Sequence, residues 1–325
     1  MPEVKKITVE SNWLNLNGGL LEAPFYEKDR NSLRFVDVVK KRIYVVDLAV
    51  GPSSLKQFDL EASVGITADI EGNDNEIIVG GKRGYGLFNR TTGEHRLIKE
   101  MWNDDERKDD GGGKPKVGKH KEDRMRSNDG AVDAKGRFYV GAMNDPALVG
   151  EGFTDEGVIF RLDPDLSIHR VIQPVTIPNG MSWSPDNKTI YVTDSPSRKI
   201  MAYPYDLETG AIALDQGKVF FECPFEGCVP DGHVRDENDN FWIAFFGSHK
   251  VLQVNQQGEV LTEITLPARC VTCPTICGTE LFVTSAQEQD PEKYPESAKN
   301  QGSVFKVDIG VRGRPLNKFR LNASV

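Results

Sequence analysis

A pattern that recurs about every fifty residues constrains the fold of this chain more than any other feature. Its centre is a short hydrophobic segment, predicted to be a buried strand, that occurs six times, starting at residues 42, 76, 137, 189, 241 and 280. A segment of alternating polar and apolar residues follows each copy, as in VIFRL at 158. Another short segment precedes each copy, as in NGMSWSP. Each unit therefore predicts strand, turn, buried strand, turn, strand.

Some units carry a fourth, weaker strand, as in HRLIK at 95 and VLTEITL at 260. Four antiparallel strands at this period are typical of a propeller blade, and 325 residues shared among six units give about 54 residues each. The sequence therefore predicts an all-β fold, a six-bladed β-propeller with four antiparallel strands per blade, as a single domain over residues 1–325. A β-sandwich is the alternative, but it would not need six similar units in series. We expect KKITVE, residues 5–10, to add to the last blade and close the ring.

Residues 102–125 break the repeat, because they are charged, rich in glycine and nearly free of aliphatic side chains. They predict a mobile loop inserted between blades two and three, which could form a lid over the channel. Gly113, Gly118 and Lys119 resemble part of a phosphate-binding loop, but His120 follows where Ser or Thr is needed. A solvated loop is therefore favoured over a nucleotide site.

Polar side chains stand at the start of the first strand of several units. In a propeller this strand lines the central channel, so its polar residues converge from different blades. Carboxylate and amide oxygens are ligands that suit a hard divalent cation such as calcium, magnesium or manganese. The alternative is that the Asn-Gly and Asp-Gly pairs among them are turn residues and nothing more. The positions are Glu22, Asn128, Asp129, Asn179 and Asp231.

Four motifs, in order along the chain, resemble those of the senescence marker protein, regucalcin and gluconolactonase family. They are LLEAPFY around Glu22, RSNDGAVDAKGRFYVGAM, IPNGMSWSPDNKTIYVTDS and VPDGHVRDENDNFWIA. The resemblance extends from about residue 19 to residue 310 and implies a six-bladed propeller that hydrolyses sugar and other lactones.

The resemblance also implies the site and its cofactor. One divalent metal ion, calcium, zinc, magnesium or manganese, would be held by Glu22, Asn179 and Asp231. Asp231 would also be the catalytic residue that transfers a proton, while Arg126 and Asn128 would contact a small-molecule lactone. The chain departs from the family pattern at Leu21 and Phe25, where Gly and Trp are usual. It departs again at Asp145 and Pro146, close to where some members place a substrate-contacting glutamate.

Composition excludes other classes of function. A net charge of -9 argues against a nucleic-acid surface, and no stretch approaches the 18 apolar residues of a membrane span. The absence of a secretion signal and an odd number of cysteines, five, predict a cytoplasmic protein. Cys270, Cys273 and Cys277 are expected to pack as small apolar groups rather than bind zinc, and Cys273 could line the channel.

Two questions stay open at the level of sequence. A non-catalytic calcium-binding or scaffold propeller is the alternative to a lactonase, and a scaffold would need no metal at the mouth of the channel. His233, two residues after Asp231, is expected to have a secondary role in the channel or to alternate on its strand. The sequence indicates no oligomeric state.

Overall fold

The computed structural model describes residues 3–108, 120–149 and 153–322 of the chain. Its strands form six small antiparallel sheets arranged as a six-bladed propeller, which confirms the predicted fold class. The first strand of each blade, called here the inner strand, packs against the inner strands of both neighbouring blades, so that the six form a ring around the central channel. The extent of the domain, residues 1–325, stays a prediction.

The four strands of each blade follow one another in sequence from the channel outward in the first five blades. Blade one has Leu21–Glu27, Ser32–Asp37, Arg42–Asp47 and Lys56–Asp59; blade two has Val64–Ile70, Asn73–Gly81, Gly84–Asn89 and His95–Glu100. Blade three has Met125–Val132, Phe138–Asn144, Gly157–Leu162 and Ile168–Val175; blade four has Pro178–Trp183, Thr189–Asp194, Lys199–Asp206 and Lys218–Glu222, with Ala211–Ile212 as an extra short strand. Blade five has Val229–Arg235, Phe241–Phe246, Lys250–Val254 and Val260–Thr265.

Blade six is completed by the other end of the chain. Its own strands are Val271–Cys277, Glu280–Ser285 and Ser303–Asp308, and the short strand Leu14–Asn15 pairs antiparallel with the last of them. The prediction that residues 5–10 close this blade was wrong. Lys5–Thr8 instead pairs in parallel with Val260–Thr265 and becomes a fifth strand of blade five. It covers an outer edge that would otherwise present unpaired backbone groups to solvent.

The helices are short and lie between strands. The α-helices are Asp104–Arg107, Lys121–Arg124, Pro146–Val149 and Pro295–Lys299; the 3-10 turns are Lys28–Arg30, Pro52–Ser54, Ser195–Ser197 and Leu214–Gln216. No helix among the described residues combines the length and the apolar character that crossing a membrane requires.

Aromatic side chains fill the spaces between the blades. Tyr139 of blade three meets Trp183 of blade four edge to face, with ring centroids 5.1 Å apart, and Trp183 also contacts Tyr205. Such rings bury large apolar areas, so neighbouring blades are held together mainly by the hydrophobic effect.

Two parts of the predicted insertion at 102–125 are described, residues 102–108 and 120–125. Trp102 is buried, and its ring lies 5.1 Å from that of Phe160 in blade three. The helix that follows begins with a capping box in which the side chain of Asn103 accepts a hydrogen bond from the backbone N–H of Glu106 at 2.9 Å. Residues 109–119 of the predicted lid, which include Gly113, Gly118 and Lys119, lie outside the described residues.

Residues 311–322, called here the C-terminal strap, cross the face of the propeller at which the inner strands end. The backbone N–H of Arg314 donates to the carbonyl of Arg235 in blade five at 3.0 Å. Farther along the strap, the N–H of Phe319 donates to the carbonyl of Asp69 in blade two at 2.8 Å. The strap therefore links blades two and five across the end of the channel at which the inner strands end, called here the lower end.

Candidate functional site

Every inner strand is interrupted by a β-bulge, and four of the six bulges hold the polar residues singled out from the sequence. At each bulge the inner strand has one more residue than its partner, which re-aims the side chains there. Because the bulges occur at equivalent places in the blades, the polar side chains meet around one section of the channel. The shifts in register lie between Glu22 and Phe25, Val64 and Ile66, Ser127 and Gly130, Pro178 and Met181, Pro230 and His233, and Val271 and Pro274.

The Asn-Gly and Asp-Gly pairs are therefore not turns, and that interpretation of the sequence was wrong. Gly130, Gly180 and Gly232 lie inside strands and outside the left-handed conformation. A Cβ atom on Gly180 would lie 2.4 Å from Nδ1 of His233, and one on Gly232 would lie 2.4 Å from Sγ of Cys273. Glycine is needed here because the next inner strand passes too close for a side chain.

The amide of Asn179 is buried and held in one orientation. Its Nδ2 donates to Oγ of Ser195 at 2.9 Å, and that hydroxyl in turn donates to the carbonyl of Pro230 at 2.7 Å. Since the hydroxyl has already given its proton to a carbonyl, it must accept from the nitrogen of Asn179. The oxygen of Asn179 consequently lies on the other side, where it accepts from Nδ2 of Asn128 at 3.2 Å.

Three carboxyl groups are buried in the channel at this level. Glu22, Asp129 and Asp231 are 5%, 7% and 6% exposed. Burial and the charge of Asp129 raise the pKa of Glu22 to about 8, and burial raises the pKa of Asp129 to about 6. Burial, with the charges of Glu22 and Asp129, raises the pKa of Asp231 well above its ordinary value. Ionising all three carboxyl groups at once is therefore unfavourable.

Each of the three carboxyl groups accepts from the backbone N–H of the next residue, but Asp231 also keeps one buried oxygen without a partner in the described part of the chain. Oε2 of Glu22 accepts from the N–H of Ala23 at 3.0 Å, and Oδ1 of Asp129 accepts from the N–H of Gly130 at 2.6 Å. Oδ1 of Asp231 is buried without any partner among the described residues. A buried oxygen left without a partner is uncommon and marks a place where a ligand, an ion or water binds.

The donor set fits a divalent cation in its chemistry. No three His, Cys, Asp or Glu side chains in the described part of the chain are grouped so that they could hold a metal ion. The predicted ligands, however, are two carboxylates and the amide of Asn179, all buried around the same section of channel. Oxygen donors of this kind suit calcium, magnesium or manganese, and a cation would offset the three carboxylate charges.

Arg126 and Asn128 lie together near the start of the inner strand of blade three, toward the end of the channel opposite the strap. Nη1 of Arg126 donates to Oδ1 of Asn128 and to the carbonyl of Ser127, both at 2.8 Å. The guanidinium is buried, and burial lowers its pKa, an effect opposed by the charges of Asp145, Glu22 and Asp231. The carboxylate of Asp145 lies 3.4 Å from the ammonium of Lys82. Asp145, one of the residues that depart from the family pattern, therefore forms an ion pair with a lysine.

Three further channel residues were named from the sequence but given no role by the family resemblance. Asp129 was among the polar positions predicted to converge on the channel, and its carboxyl group is buried there. Nε2 of His233 lies 2.8 Å from Oγ of Ser182, and burial with the charge of Arg235 lowers the pKa of His233 to about 3, which keeps the ring neutral. Cys273 lines the channel, as the sequence suggested, and burial first, then the three carboxylates, raise the pKa of its thiol. All five cysteines are buried and free of disulfide bonds.

Comparison with known proteins places the chain in a family. Residues 20–287 match the family described as the SMP-30/Gluconolactonase/LRE-like region. An uncharacterized protein of Sulfolobus acidocaldarius is 37% identical over 195 residues, 58% of this chain and 65% of that protein. A protein of Bacillus subtilis, provisionally named sugar lactone lactonase YvrE, is 25% identical over 296 residues, 90% of this chain and 92% of its own.

The fold has a close counterpart among solved structures. The crystal structure of a calcium-binding protein, regucalcin, from Agrobacterium tumefaciens superimposes with a TM-score of 0.83, at 23% identity, over 98% of this chain and 100% of that one. The family match covers most of the chain and includes all four motifs, so the resemblance drawn from them is confirmed. The chain belongs to the SMP-30/gluconolactonase/LRE-like family.

Proposed function

We propose that this protein is a divalent-metal-dependent lactonase, a carboxylic ester hydrolase that opens a small-molecule cyclic ester. The family's name includes gluconolactonase, and the Bacillus subtilis relative carries the name of a sugar lactone lactonase. The observation that carries the proposal is the unpartnered oxygen of Asp231, whose pKa is raised by burial first and then by the charges of two neighbouring carboxyl groups. Such a group is poised both to bind a cation and to move a proton.

Glu22, Asn179 and Asp231 would hold the cation. Their oxygens come from three different blades, and the hydrogen bond from Asn179 to Ser195 keeps its oxygen available on the channel side of the amide. A divalent cation bound there supplies positive charge that polarises the lactone carbonyl and lowers the pKa of a water molecule.

Asp231 is proposed as the general base and then the general acid. Its free carboxylate oxygen takes a proton from the water that attacks the carbonyl carbon. The acyl carbon–oxygen bond of the ring then breaks, and Asp231 returns the proton to the leaving alkoxide. One water is consumed and one hydroxy acid is formed, so Asp231 ends as it began.

Arg126 and Asn128 are proposed to orient the substrate. The Nη1 atom of Arg126 is engaged with Asn128 and Ser127, which fixes the plane of the guanidinium. Its remaining N–H groups can then donate in a fixed direction to a carbonyl, hydroxyl or carboxylate of the lactone.

The test is the variant Asp231→Asn, which keeps the shape of the side chain and removes its basicity. With added metal and a panel of lactones, we expect turnover to fall by roughly 10²- to 10⁴-fold, as is usual when a general acid–base group is removed. Asp215→Asn, at an exposed position of blade four, is the matched control and should keep full activity. Undiminished turnover in Asp231→Asn would refute the assignment.

A non-catalytic calcium-binding protein is the second candidate. It is favoured by the description of the Agrobacterium tumefaciens structure as a calcium-binding protein. The same three residues, Glu22, Asn179 and Asp231, would then bind calcium with no proton transfer. Stabilisation by calcium together with no hydrolysis of any lactone, with any of the four metals, would favour this function. A cytoplasmic location is part of the proposal in either case.

A further inference from the structure

One buried hydroxyl group, that of Ser195, connects two of the proposed metal ligands. Ser195 begins the 3-10 turn that follows the second strand of blade four, and it is 2% exposed. Its Oγ accepts from Nδ2 of Asn179 at 2.9 Å and donates to the carbonyl of Pro230 at 2.7 Å. Because Pro230 immediately precedes Asp231, the hydroxyl joins the side chain of one ligand to the backbone beside another.

The bond from Ser195 to Pro230 belongs to a set that serves the fold. The carbonyl just before each proposed ligand accepts a hydrogen bond from a buried side chain of a neighbouring blade, which links adjacent blades at the bulges. Among the described residues, Ser195 is the one member of the set that also accepts a hydrogen bond from a proposed ligand. The bonds run from Thr272 to Leu21 at 2.6 Å, from Asn128 to Pro178 at 2.9 Å and from Ser195 to Pro230 at 2.7 Å.

The orientation of the Asn179 amide depends on the accepting side of this hydroxyl. An amide has one oxygen, which can bind a cation, and one NH2 group, which cannot. Since the proton of Ser195 is engaged by Pro230, the hydroxyl accepts, and the NH2 group of Asn179 must face it. On the oxygen side, Asn128 holds the amide through a longer bond of 3.2 Å. The bond to Ser195 is therefore the shorter of the two that orient the amide.

Loss of the hydroxyl would leave the NH2 group of Asn179 buried without its partner. Asn179 is 4% exposed, so bulk water does not replace the lost bond. A buried donor without an acceptor costs free energy, and turning the amide toward another acceptor relieves that cost. Any such turn moves the oxygen away from the channel side of the amide.

We propose that Ser195 is a positioning residue of the metal site, which sets the affinity for the divalent cation by holding the oxygen of Asn179 toward the channel. The inference rests on the proposed function, because it needs Asn179 to be a metal ligand. Ser195 itself contacts neither the cation nor the lactone. Side chains that orient metal ligands in this way commonly change metal affinity about 10- to 100-fold when they are replaced.

The experiment uses the full-length protein, freed of metal with chelator and then dialysed. Isothermal titration calorimetry measures its binding of calcium, magnesium, manganese and zinc, each added as the chloride. For each cation that the wild type binds, Ser195→Ala should bind at least about tenfold more weakly, while Ser195→Thr keeps the hydroxyl and should recover most of the affinity. If Ser195→Ala does not fold, Ser195→Cys gives the same test, because a thiol is only a weak acceptor. Undiminished affinity without the hydroxyl would overturn the proposal.

Ser285→Ala is the matched control. Ser285 is also buried, and its hydroxyl accepts from the N–H of Ser303 at 3.0 Å and donates to the carbonyl of Ser303 at 3.1 Å. Similar bonds are lost, but they involve none of the proposed ligands, so cation affinity should stay within about twofold of the wild type. A tenfold loss in this control would show that removing any buried hydroxyl weakens binding, and it would refute a specific role for Ser195.

The variant Asn179→Asp tests whether Ser195 acts through the amide. A carboxylate has an oxygen on both sides, so its orientation no longer decides whether an oxygen faces the cation. In the Asn179→Asp background, Ser195→Ala should therefore change cation affinity by less than about twofold. A loss as large as that in the wild-type background would show that Ser195 acts by another route, and the proposal would fail.

Hydrolysis assays separate this inference from the lactonase. If the wild type opens no lactone but binds a cation that Ser195→Ala binds much more weakly, the lactonase fails and the inference stands. If the wild type hydrolyses lactones and Ser195→Ala keeps full cation affinity, the inference fails and the proposed function stands. A wild type that binds none of the four cations would refute both, since neither holds without a metal site.

Discussion

Replacing Glu22 with Gln should make the metal-free protein more stable at alkaline pH, although a predicted metal ligand is removed. Burial, together with the charge of Asp129, raises the pKa of Glu22 from its ordinary 4.5 to about 8. Between these two values the folded protein binds a proton at this site and the unfolded chain does not. The free energy of unfolding therefore falls as the pH rises through this range.

The size of the effect follows from the shift in pKa. Each tenfold change in proton affinity is worth about 1.4 kcal/mol, so moving the pKa of Glu22 to about 8 costs the folded state at most about 5 kcal/mol once the group is ionised. The side chain of glutamine cannot ionise, so Glu22→Gln removes this loss. The pKa of Asp231 also falls in the variant, because the charge of Glu22 is one cause of its elevation.

The assay is urea unfolding at pH values from about 5 to about 8.5, with chelator present. Wild type should lose several kcal/mol over this range, as the upper limit of about 5 kcal/mol allows, and Glu22→Gln should have a clearly shallower profile. Glu61→Gln, at an exposed position of blade one, is the matched control and should follow the wild type. Parallel profiles for Glu22→Gln and wild type would refute the electrostatic reasoning.

The same unfolding experiment with an added divalent cation tests whether Glu22 is a metal ligand. A ligand at 100 times its dissociation constant stabilises the folded state by about 2.7 kcal/mol, and here it also relieves the repulsion among the carboxylates. We expect the wild type to gain stability most at alkaline pH and Glu22→Gln to gain much less. An equal gain in both proteins would remove Glu22 from the set of ligands.

Three other predictions concern the fold. Gly232→Ala should destabilise the protein by about 1–3 kcal/mol in urea unfolding, because its methyl group would meet Sγ, Cβ and Cα of Cys273; adding Cys273→Ala removes only Sγ and should recover only part of the loss, so full recovery would contradict this reasoning. Glu27→Gln should cost about 1–3 kcal/mol, since the buried guanidinium of Arg34 loses one of its two carboxylate partners and keeps Asp69; an equal loss in Glu61→Gln would contradict this. Deleting residues 1–17 removes the strand that completes blade six and should lower the melting temperature and expose the ring to limited proteolysis; an unchanged melting temperature would show that the closure contributes little.

The six blades could be predicted because their signal is local. Each buried second strand is a hydrophobic run bounded by turn residues, and its repetition fixes the number of blades. The N-terminal strands could not be assigned in the same way. Lys5–Thr8 and Leu14–Asn15 pair with strands near the other end of the chain, and nothing in a short segment says which distant edge it will cover.

The site was predicted in part for the same reason. Asn179 and Asp231 stand at equivalent places in the repeat and Glu22 stands one residue earlier in its own, so their convergence on the channel follows from the fold. The bulges themselves were missed, because an extra residue in a strand leaves no mark in the hydrophobic pattern. The C-terminal strap was missed because it depends on packing between distant parts of the chain.

Blade two shows which part of the repeated dipeptide serves the fold and which serves the site. Its bulge holds Val64 and Gly65, and a Cβ atom on Gly65 would lie 2.2 Å from the backbone oxygen of Asn128 in the next blade. The glycine is therefore required for the inner strands to approach, whereas the residue before it can be apolar. Since the propeller does not need a carboxylate or an amide at this position, Asn179 and Asp231 are not explained by folding alone. A buried oxygen of Asp231 without a partner is a cost to stability, and ligand binding is the physical reason for the chain to keep it.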